Sequence, residues 1–390
     1  MSLRFTEEQL EIRGLAREFA EGELRPHSAA WDEARALPDE VFASLAELGF
    51  LGMRVPEAYG GLDLDPSTYL LVLEELARGD AAVALAVAIH CGPVTDLVLR
   101  YGSEAQKQAL LPAMASGEAL TAFALSEPEA GSDAGALATT AVREGDGWRL
   151  DGRKRWVTNG GRADRVLVFA RVEGTAGDGL AAFLVDPATE GWQITDRERT
   201  MGLRASETAA VKLDGVRVGD DALLGEPGQG FRYAMEALNV GRVGIAAQAL
   251  GIGQAAYEHA TGYAVERRQF GRPIADFGAI QAKLADMEIR LTAARATVHA
   301  VGEMLIDADH DARGPASLRA RAAAAKVVAS EAALWVADEA VQIFGGYGYM
   351  RDYPVEKLLR DAKGTEIYEG TNEILRLVVA REVLREVRED

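Results

Sequence analysis

The chain has 390 residues, a formal net charge of −19 and a single cysteine. That length suffices for two or three domains around a large core. The acidic balance disfavours nucleic acid and anionic membrane as partners, and one cysteine excludes a disulfide framework or a cysteine-rich metal site within the chain.

The start, Met1–Gly14, is amphipathic and acidic, without the apolar core of a secretory signal or the arginine-rich character of a transit peptide. The longest apolar run, Ala81–Ile89, falls short of the ~20 residues needed to span a bilayer. The expectation is a cytoplasmic protein with no membrane insertion. Thr6 and Gln9 have capping-box spacing ahead of Leu10, Leu15 and Phe19, which predicts a first helix. Pro38 opens a second amphipathic stretch through Val41, Leu45 and Leu48. Asp65-Pro66 opens another that ends near Arg78-Gly79, and Ser103 with Gln106 forms a second capping box. Cys91 sits in an apolar Ala/Val stretch and reads as packing rather than as a nucleophile.

The texture changes near Thr121. Thr139–Val142 and Trp148–Leu150 flank Glu144-Gly145-Asp146-Gly147, a hairpin signal. Arg165–Arg171, Leu180–Val185, Trp192–Thr195 and Ala209–Leu213 are further short strands. From Phe231 onward, apolar residues such as Ile280, Leu284, Met287 and Leu291 recur at helical spacing, with breaks at Gly271-Arg272-Pro273 and Arg313-Gly314-Pro315. Long helices with short breaks suggest an antiparallel bundle. The expected fold is α+β and multidomain: a helical amino-terminal domain over 1–118, a central β-barrel-like domain over 119–228 and a carboxy-terminal four-helix bundle over 229–390.

Gly251–Ala256 matches a dinucleotide fingerprint, but no strand precedes it and it lies inside a helical pattern, so it reads as close helix packing. The histidines His27, His90, His259, His299 and His310 are scattered without ligand spacing, and no metal site is expected. No Gly-x-Ser-x-Gly elbow supports a serine hydrolase.

Three other segments carry candidate chemistry. Phe123–Asp133 is a strand running into a Pro/Gly-rich turn whose amides and hydroxyls suit phosphates or ring heteroatoms, though an ordinary loop reads the same way. Arg155–Gly161 sets Trp156 beside Thr158 and a turn, suited to packing on a flat cofactor or to burying a core tryptophan. Thr365–Glu373 holds three glutamates, of which only Glu369 is followed by glycine. Set between Tyr368 and Gly370, and near Ile367, that carboxylate would be desolvated and so a stronger base. A solvated acidic helix start is the plain alternative.

Taken together, Ser126–Asp133, Trp156–Gly161, Glu266–Gly271, Gln342–Tyr349 and Glu366–Ile374 resemble the acyl-CoA dehydrogenase family, in its order and spacing and over essentially the full chain. Met235–Gly251 and Lys283–Met287 are most similar to short-chain members. The resemblance implies FAD held between the β domain and the bundle. It implies flavin contacts at Phe123, Leu125, Ser126, Trp156, Val157 and Thr158, with Ser132 where flavin and acyl-CoA meet. Arg267, Phe270 and Gln342 through Gly345 and Gly346 are expected to serve the FAD of a neighbouring subunit in a homotetramer. Thr371 and Glu373 are expected to flank the cofactor, and Asn239, Arg242, Tyr368 and Gly370 to lie near the thioester. Glu369 is then the base for the α-proton, with the β-hydride passing to flavin N5 and electrons to an electron transfer flavoprotein. The implied reaction converts a short- to medium-chain acyl-CoA, straight or branched, to the trans-2-enoyl-CoA.

Some members of the family carry the base on the helix that here contains Gly241, so glycine there favours Glu369. Two departures stand out. Gly278 replaces a usual glutamine that reaches the adenosine side of FAD, and Gly364 replaces a usual aliphatic, which is expected to loosen the approach to the active loop. An acyl-CoA oxidase and a non-catalytic acyl-CoA-binding protein on the same fold are the competing readings.

Overall fold

The computed structural model describes residues 5–172, 174, 179–307 and 316–389. The helix break expected at 313–315 and His310 lie outside the described residues. The element order is helical, then β, then helical.

The first unit comprises α1 (Glu7–Phe19), α2 (Ser28–Ala34), α3 (Asp39–Glu47), α4 (Pro66–Gly79), α5 (Ala81–Ile89), α6 (Thr95–Tyr101) and α7 (Glu104–Ala115). Both expected capping boxes form: Thr6 caps Gln9, and Ser103 caps Gln106. Asp65 accepts the Ser67 and Thr68 amides at the head of α4, where Pro66 has no N–H to leave unpaired. Asp80 does the same for Ala82 and Val83, so α4 and α5 meet at a carboxylate. All nine residues of α5 are buried. The apolar run extends further than Ala81–Ile89: with a π-helical turn at His90–Val94 and α6 it makes a helical segment of 21 residues, and 94% of its most apolar window is buried inside the fold.

The β unit is one eight-stranded sheet in the order β6-β7-β3-β2-β4-β5-β8, with β1 beside β4. The strands are β1 (Thr121–Ala124), β2 (Thr140–Glu144), β3 (Gly147–Val157), β4 (Arg165–Val172), β5 (Leu180–Val185), β6 (Trp192–Arg197), β7 (Ala209–Gly219) and β8 (Leu223–Leu224). The hairpin read from Glu144–Gly147 is present, with Glu144 opposite Gly147 and Thr140 opposite Asp151. Strand β3 pairs antiparallel with β7, and the ladder slips between Lys154 and Val157. That irregularity re-aims the end of β3, where Trp156 takes a left-handed backbone, φ 56°.

The second helical unit holds α8 (Gly230–Glu266), α9 (Gly278–Asp307), α10 (Ala316–Phe344), α11 (Val355–Thr365) and α12 (Asn372–Glu389). The first three pack on one another, α12 lies along α10, and α4 closes on α8 and α9. The glycines of Gly251–Ala256 serve this packing. A Cβ on Gly251 would stand 2.2 Å from the Glu74 carbonyl oxygen, and one on Gly253 would stand 2.8 Å from Leu291. Between α8 and α9 the chain makes a two-stranded ribbon, β9 (Arg268–Gln269) with β10 (Arg272–Pro273), in place of a simple break.

Candidate active site

Helix α11 ends in a tight loop built on the Gly364 carbonyl, which accepts the Ile367 amide at 2.9 Å and the Tyr368 amide at 3.2 Å. The loop closes where the Asn372 N–H donates to the Glu366 carbonyl at 3.0 Å. Between these ties Glu369 and Gly370 are both left-handed, at φ 56° and 93°. A non-glycine residue held there costs of order 1–3 kcal/mol and persists only where its surroundings enforce it. Three contacts do so. Arg242 Nε donates to the Glu369 carbonyl at 3.3 Å. Lys326 Nζ donates to the Gly370 carbonyl and to Asn372 Oδ1, each at 2.9 Å. Ser330 and Asn372 complete the anchor through their side chains, with Asn372 Nδ2 donating to Ser330 Oγ at 3.0 Å.

This backbone lays the Glu369 carboxyl on the bare surface of α8. A Cβ on Gly241 would fall 2.7 Å from Glu369 Oε2 and 2.8 Å from Oε1, so any larger residue there would displace the carboxyl. The residue as a whole is partly exposed, but its Oε2 is out of contact with solvent and without a hydrogen-bond partner. Desolvation pushes the carboxyl up to about 7, against the opposing pull of Arg242 and Lys326. The desolvating surface is α8, not the sequence neighbour Ile367, which is 55% exposed. Consecutive loop residues point in different directions, which linear order does not reveal.

Arg242 is itself buried, and its Nη1 donates to Asn239 Oδ1 at 2.9 Å. The Tyr368 hydroxyl donates to Gln248 Oε1 at 2.9 Å, and Gln248 Nε2 donates to the Ala81 carbonyl at 2.7 Å. Gly364 explains the tyrosine's place: a Cβ there would meet the Tyr368 ring at 2.9 Å and Leu203 at 3.1 Å. The glycine thus tightens the approach to the loop rather than loosening it. Glu369, Gly370, Tyr368, Asn239 and Arg242 are therefore one cluster.

A second cluster forms where β1 and β3 end. The Arg155 N–H donates to the Ser126 carbonyl at 2.9 Å, which sets Leu125 and Ser126 beside Trp156, Val157 and Thr158. Beneath them Lys154 donates to the Leu125 carbonyl at 3.1 Å and to Glu127 Oε1 at 2.7 Å. Glu127 also accepts the Ala138 and Thr139 amides, at 2.6 and 2.9 Å, pinning the loop that carries Ser132. Burial pulls the Lys154 ammonium down to about 8 while Glu127 resists it. Despite its own burial, Glu127 is held below the usual carboxylate range, chiefly by Lys154. Asn159, at φ 61°, donates to the carbonyls of Ala86 and Thr121, both at 3.1 Å. Because Gln248 holds Ala81 and Asn159 holds Ala86, α5 ties this cluster to that of Glu369.

The second cluster fits a flat, polar-edged cofactor. Trp156 is 52% exposed beside Val157, which is 1% exposed, so an indole stands at the rim of a closed core. The partly buried hydroxyls of Ser126 and Thr158 have no hydrogen-bond partner among the described residues. An aromatic face beside free donors and acceptors is the surface a flavin ring requires.

Of the remaining expected residues, Arg267 closes α8 and meets the segment that follows α10. Arg267 stacks over the Tyr347 ring at 5.4 Å, next to Gly345 and Gly346. Gln342, Gly345 and Gly346 are exposed, and Phe270 is 93% exposed at φ 50°. Thr371 is half-buried at the head of α12, and Glu373 is exposed. Cys91 is buried with its thiol directed at the Leu51 carbonyl, 3.2 Å away, and burial pushes it up to about 12, which suits packing.

Sequence reading missed the residues that hold these clusters: Lys326, the Glu127–Lys154 pair, and Asp361. Asp361 accepts the Leu203 amide at 2.6 Å and Lys357 at 2.8 Å, and Lys357 reaches Asp80 at 3.1 Å, binding α11 to the head of α5. One signal was available for Lys326: a lone lysine in the apolar run Ala322–Val328.

The chain is similar to known proteins along essentially its whole length. Models of the acyl-CoA dehydrogenase N-terminal, middle and C-terminal domains match residues 6–118, 122–216 and 228–384. An acyl-CoA dehydrogenase of Bacillus subtilis is 45% identical over 383 residues, covering 98% of this chain and 99% of that one. Butyryl-CoA dehydrogenase from Megasphaera elsdenii superposes with a TM-score of 0.93 at 38% identity, over 98% of this chain and 100% of that one. A chain in the structure of the electron transferring flavoprotein of Acidaminococcus fermentans superposes with a TM-score of 0.94 at 40% identity, over 99% of this chain and 100% of that one.

Proposed function

The chain belongs to the acyl-CoA dehydrogenase family and is thus an FAD-dependent oxidoreductase, and from that premise we propose that Glu369 is the base that removes the α-proton of a short- to medium-chain acyl-CoA, straight or branched, yielding the trans-2-enoyl-CoA. The observation that carries the proposal is the Glu369 carboxyl, held on Gly241 with Oε2 buried and unpartnered, a desolvated seat that pushes its pKa up to about 7. A base poised near neutral pH is ionised often enough to act and basic enough to take a weakly acidic proton. Once protonated it is neutral, the form its desolvated seat favours.

The α-proton of a thioester becomes removable when donors stabilise the developing enolate oxygen. The Glu369 N–H has no acceptor among the described residues and is proposed as one such donor. Arg242 and Asn239 hold the loop from the α8 side and keep the carboxyl on its glycine. Phe123, Leu125, Ser126, Ser132, Trp156, Val157 and Thr158 are proposed to hold the flavin, with Thr371 and Glu373 flanking it. Bound FAD supplies the two-electron acceptor for the β-hydrogen.

The similarity to a butyryl-CoA dehydrogenase supports the short-chain end of the range. The likeness to a chain in an electron transferring flavoprotein structure supports such a flavoprotein as electron acceptor. Arg267, Phe270, Gln342, Gly345 and Gly346 are proposed to complete the FAD site of a second copy in a homotetramer, in keeping with the exposure of Phe270. The test is anaerobic titration of the yellow holoprotein with butyryl-, isobutyryl-, hexanoyl- and octanoyl-CoA. Bleaching by one or more, with electrons then delivered to an electron transfer flavoprotein, is expected; no bleaching by any of the panel defeats the proposal.

A further inference from the structure

We infer that Lys326 is the positioning residue for Glu369: its buried ammonium fixes the loop that carries the base and supplies the positive charge beside which that base ionises. The inference rests on Glu369 being the base.

Lys326 lies in α10 with no exposed surface. A lysine is almost never buried so fully unless it is paired. Its two acceptors are the Gly370 carbonyl and Asn372 Oδ1, both uncharged and both on the far side of Glu369 from α11. The ammonium therefore grips the chain immediately after the base, while Arg242 grips the carbonyl of the base itself. With the loop held from α8 and from α10, Glu369 keeps a left-handed backbone that it would otherwise leave.

The charges around it give the second half of the inference. Glu369 and Glu366 face Lys326 from the loop after α11, Glu373 faces it from α12, and Arg242 opposes it from α8. Glu366 is already engaged by Lys363 at 2.6 Å, and Glu373 is exposed and screened. Glu369 is the one carboxylate of the three with an oxygen both buried and unpartnered. The strongest coupling of a desolvated ammonium is to the desolvated anion nearest it in dielectric terms. Desolvation brings the ammonium down to about 7, with Glu369 the first group resisting that fall. Reciprocally, Lys326 resists the rise of Glu369.

The experiment follows anaerobic flavin reduction by butyryl-CoA against pH in holoenzyme carrying Lys326→Met. Removing a neighbouring cation raises a carboxyl pKa, so the acid limb of the rate is expected to move up by about one pH unit. Lys326→Arg, which keeps the charge, is expected to return the limb to its wild-type position. An equal loss of rate at every pH with the limb unmoved would show Lys326 to be scaffolding alone and overturn the inference. Should Lys326→Met fail to fold, the side-chain 13C titration of Lys326 in wild-type and Glu369→Gln holoenzyme decides. The chain has only seven lysines, so the resonance is assignable by substitution. Lys326 is expected to titrate about one unit lower once the carboxylate is gone, and an unchanged titration overturns the inference. If Glu369→Gln still reduces flavin at the wild-type rate while Lys326 shifts, the base assignment fails and the coupling stands.

Discussion

Two groups of residues share the same motif-bearing status and meet opposite fates. Around Glu369 one chain assembles everything: a left-handed loop, a glycine on α8 that receives the carboxyl, and buried Arg242 and Lys326 to hold the turn. At Phe270, 93% exposed, the ribbon after α8 leaves an apolar platform open, and in the segment after α10 Tyr349 and Met350 are 88% and 51% exposed. The first group is built to exclude water, and the second presents apolar surface to it. Single-chain folding is sufficient for the former, whereas the latter gains from burial only when something covers it. The contrast predicts that damage to the first group appears in the chemistry and damage to the second in cofactor retention and assembly.

The largest effect should come from Glu369→Gln, which keeps shape and removes the base. Flavin reduction is expected to fall by at least about a thousandfold while the protein stays yellow. Near-normal reduction would place the base elsewhere, with Glu366 the next residue to test. In the wild type the rate should rise as pH increases through about 7, because the ionised carboxylate is the active form and burial has lifted its pKa to that value. An acid limb near the ordinary glutamate value would contradict a desolvated Glu369 carboxyl.

Gly241→Ala tests the seat rather than the base. Its Cβ would fall inside 3 Å of both carboxyl oxygens, so the carboxyl must move. A displacement of the order of 1 Å can cost about a hundredfold in rate. Stopped-flow reduction is expected to drop by about that factor with the FAD spectrum retained, and an unaltered rate would mean that the loop has slack which its contacts do not suggest.

Much of this comparison was legible in the chain. Capping boxes at Thr6 and Ser103 and the hairpin at Glu144–Gly147 were read correctly because their chemistry is local. Glu369 stands out in the sequence because glycine follows it, and the helix-like context of Gly251–Ala256 excludes a nucleotide loop. What escaped was long-range. Lys326 and Gly370 are 44 residues apart, and Lys357 and Asp80 are 277 apart. No periodicity connects such pairs, because each is created only when the helices dock. The desolvation of Glu369 was expected from Tyr368 and Ile367, yet Tyr368 reaches for Gln248 and Ile367 faces outward. Strand lengths were underestimated for β3 and β7, whose ladder continues past a slip that breaks simple alternation.

Phe270→Ala addresses the open platform. Burying a phenylalanine is worth about 1.5–3 kcal/mol, so its loss should weaken an interface it enters by roughly tenfold or more. FAD loss on dilution and the mass by light scattering are the readouts, with four chains expected for the wild type. A wild-type mass of one chain with FAD fully bound would remove the basis for assigning this platform to a second copy. The acid limb of flavin reduction should stay in place in the variant, which separates this region from the Glu369 loop.

The smallest effect concerns Gly278, where the family resemblance implies a glutamine directed toward the adenosine half of FAD. A backbone turn after Phe277 that only glycine fits would be a second explanation of this position. The geometry removes it: Gly278 opens α9, is absent from the left-handed residues, and a Cβ there would meet nothing within 4 Å. Gly278→Gln is therefore expected to fold without strain, and helix propensity favours it. A neutral hydrogen bond contributes about 0.5–1.5 kcal/mol, which corresponds to roughly a three- to tenfold gain in FAD affinity. Gln281, one turn on, already donates to the Ala275 carbonyl at 3.0 Å and is not free to take over the role without giving up that bond. Fluorescence-monitored FAD dissociation for both forms under matched conditions is the measurement. Equal dissociation constants would show that the adenosine side of the site gains nothing from a side chain at this position, and that the open platform is completed by other groups.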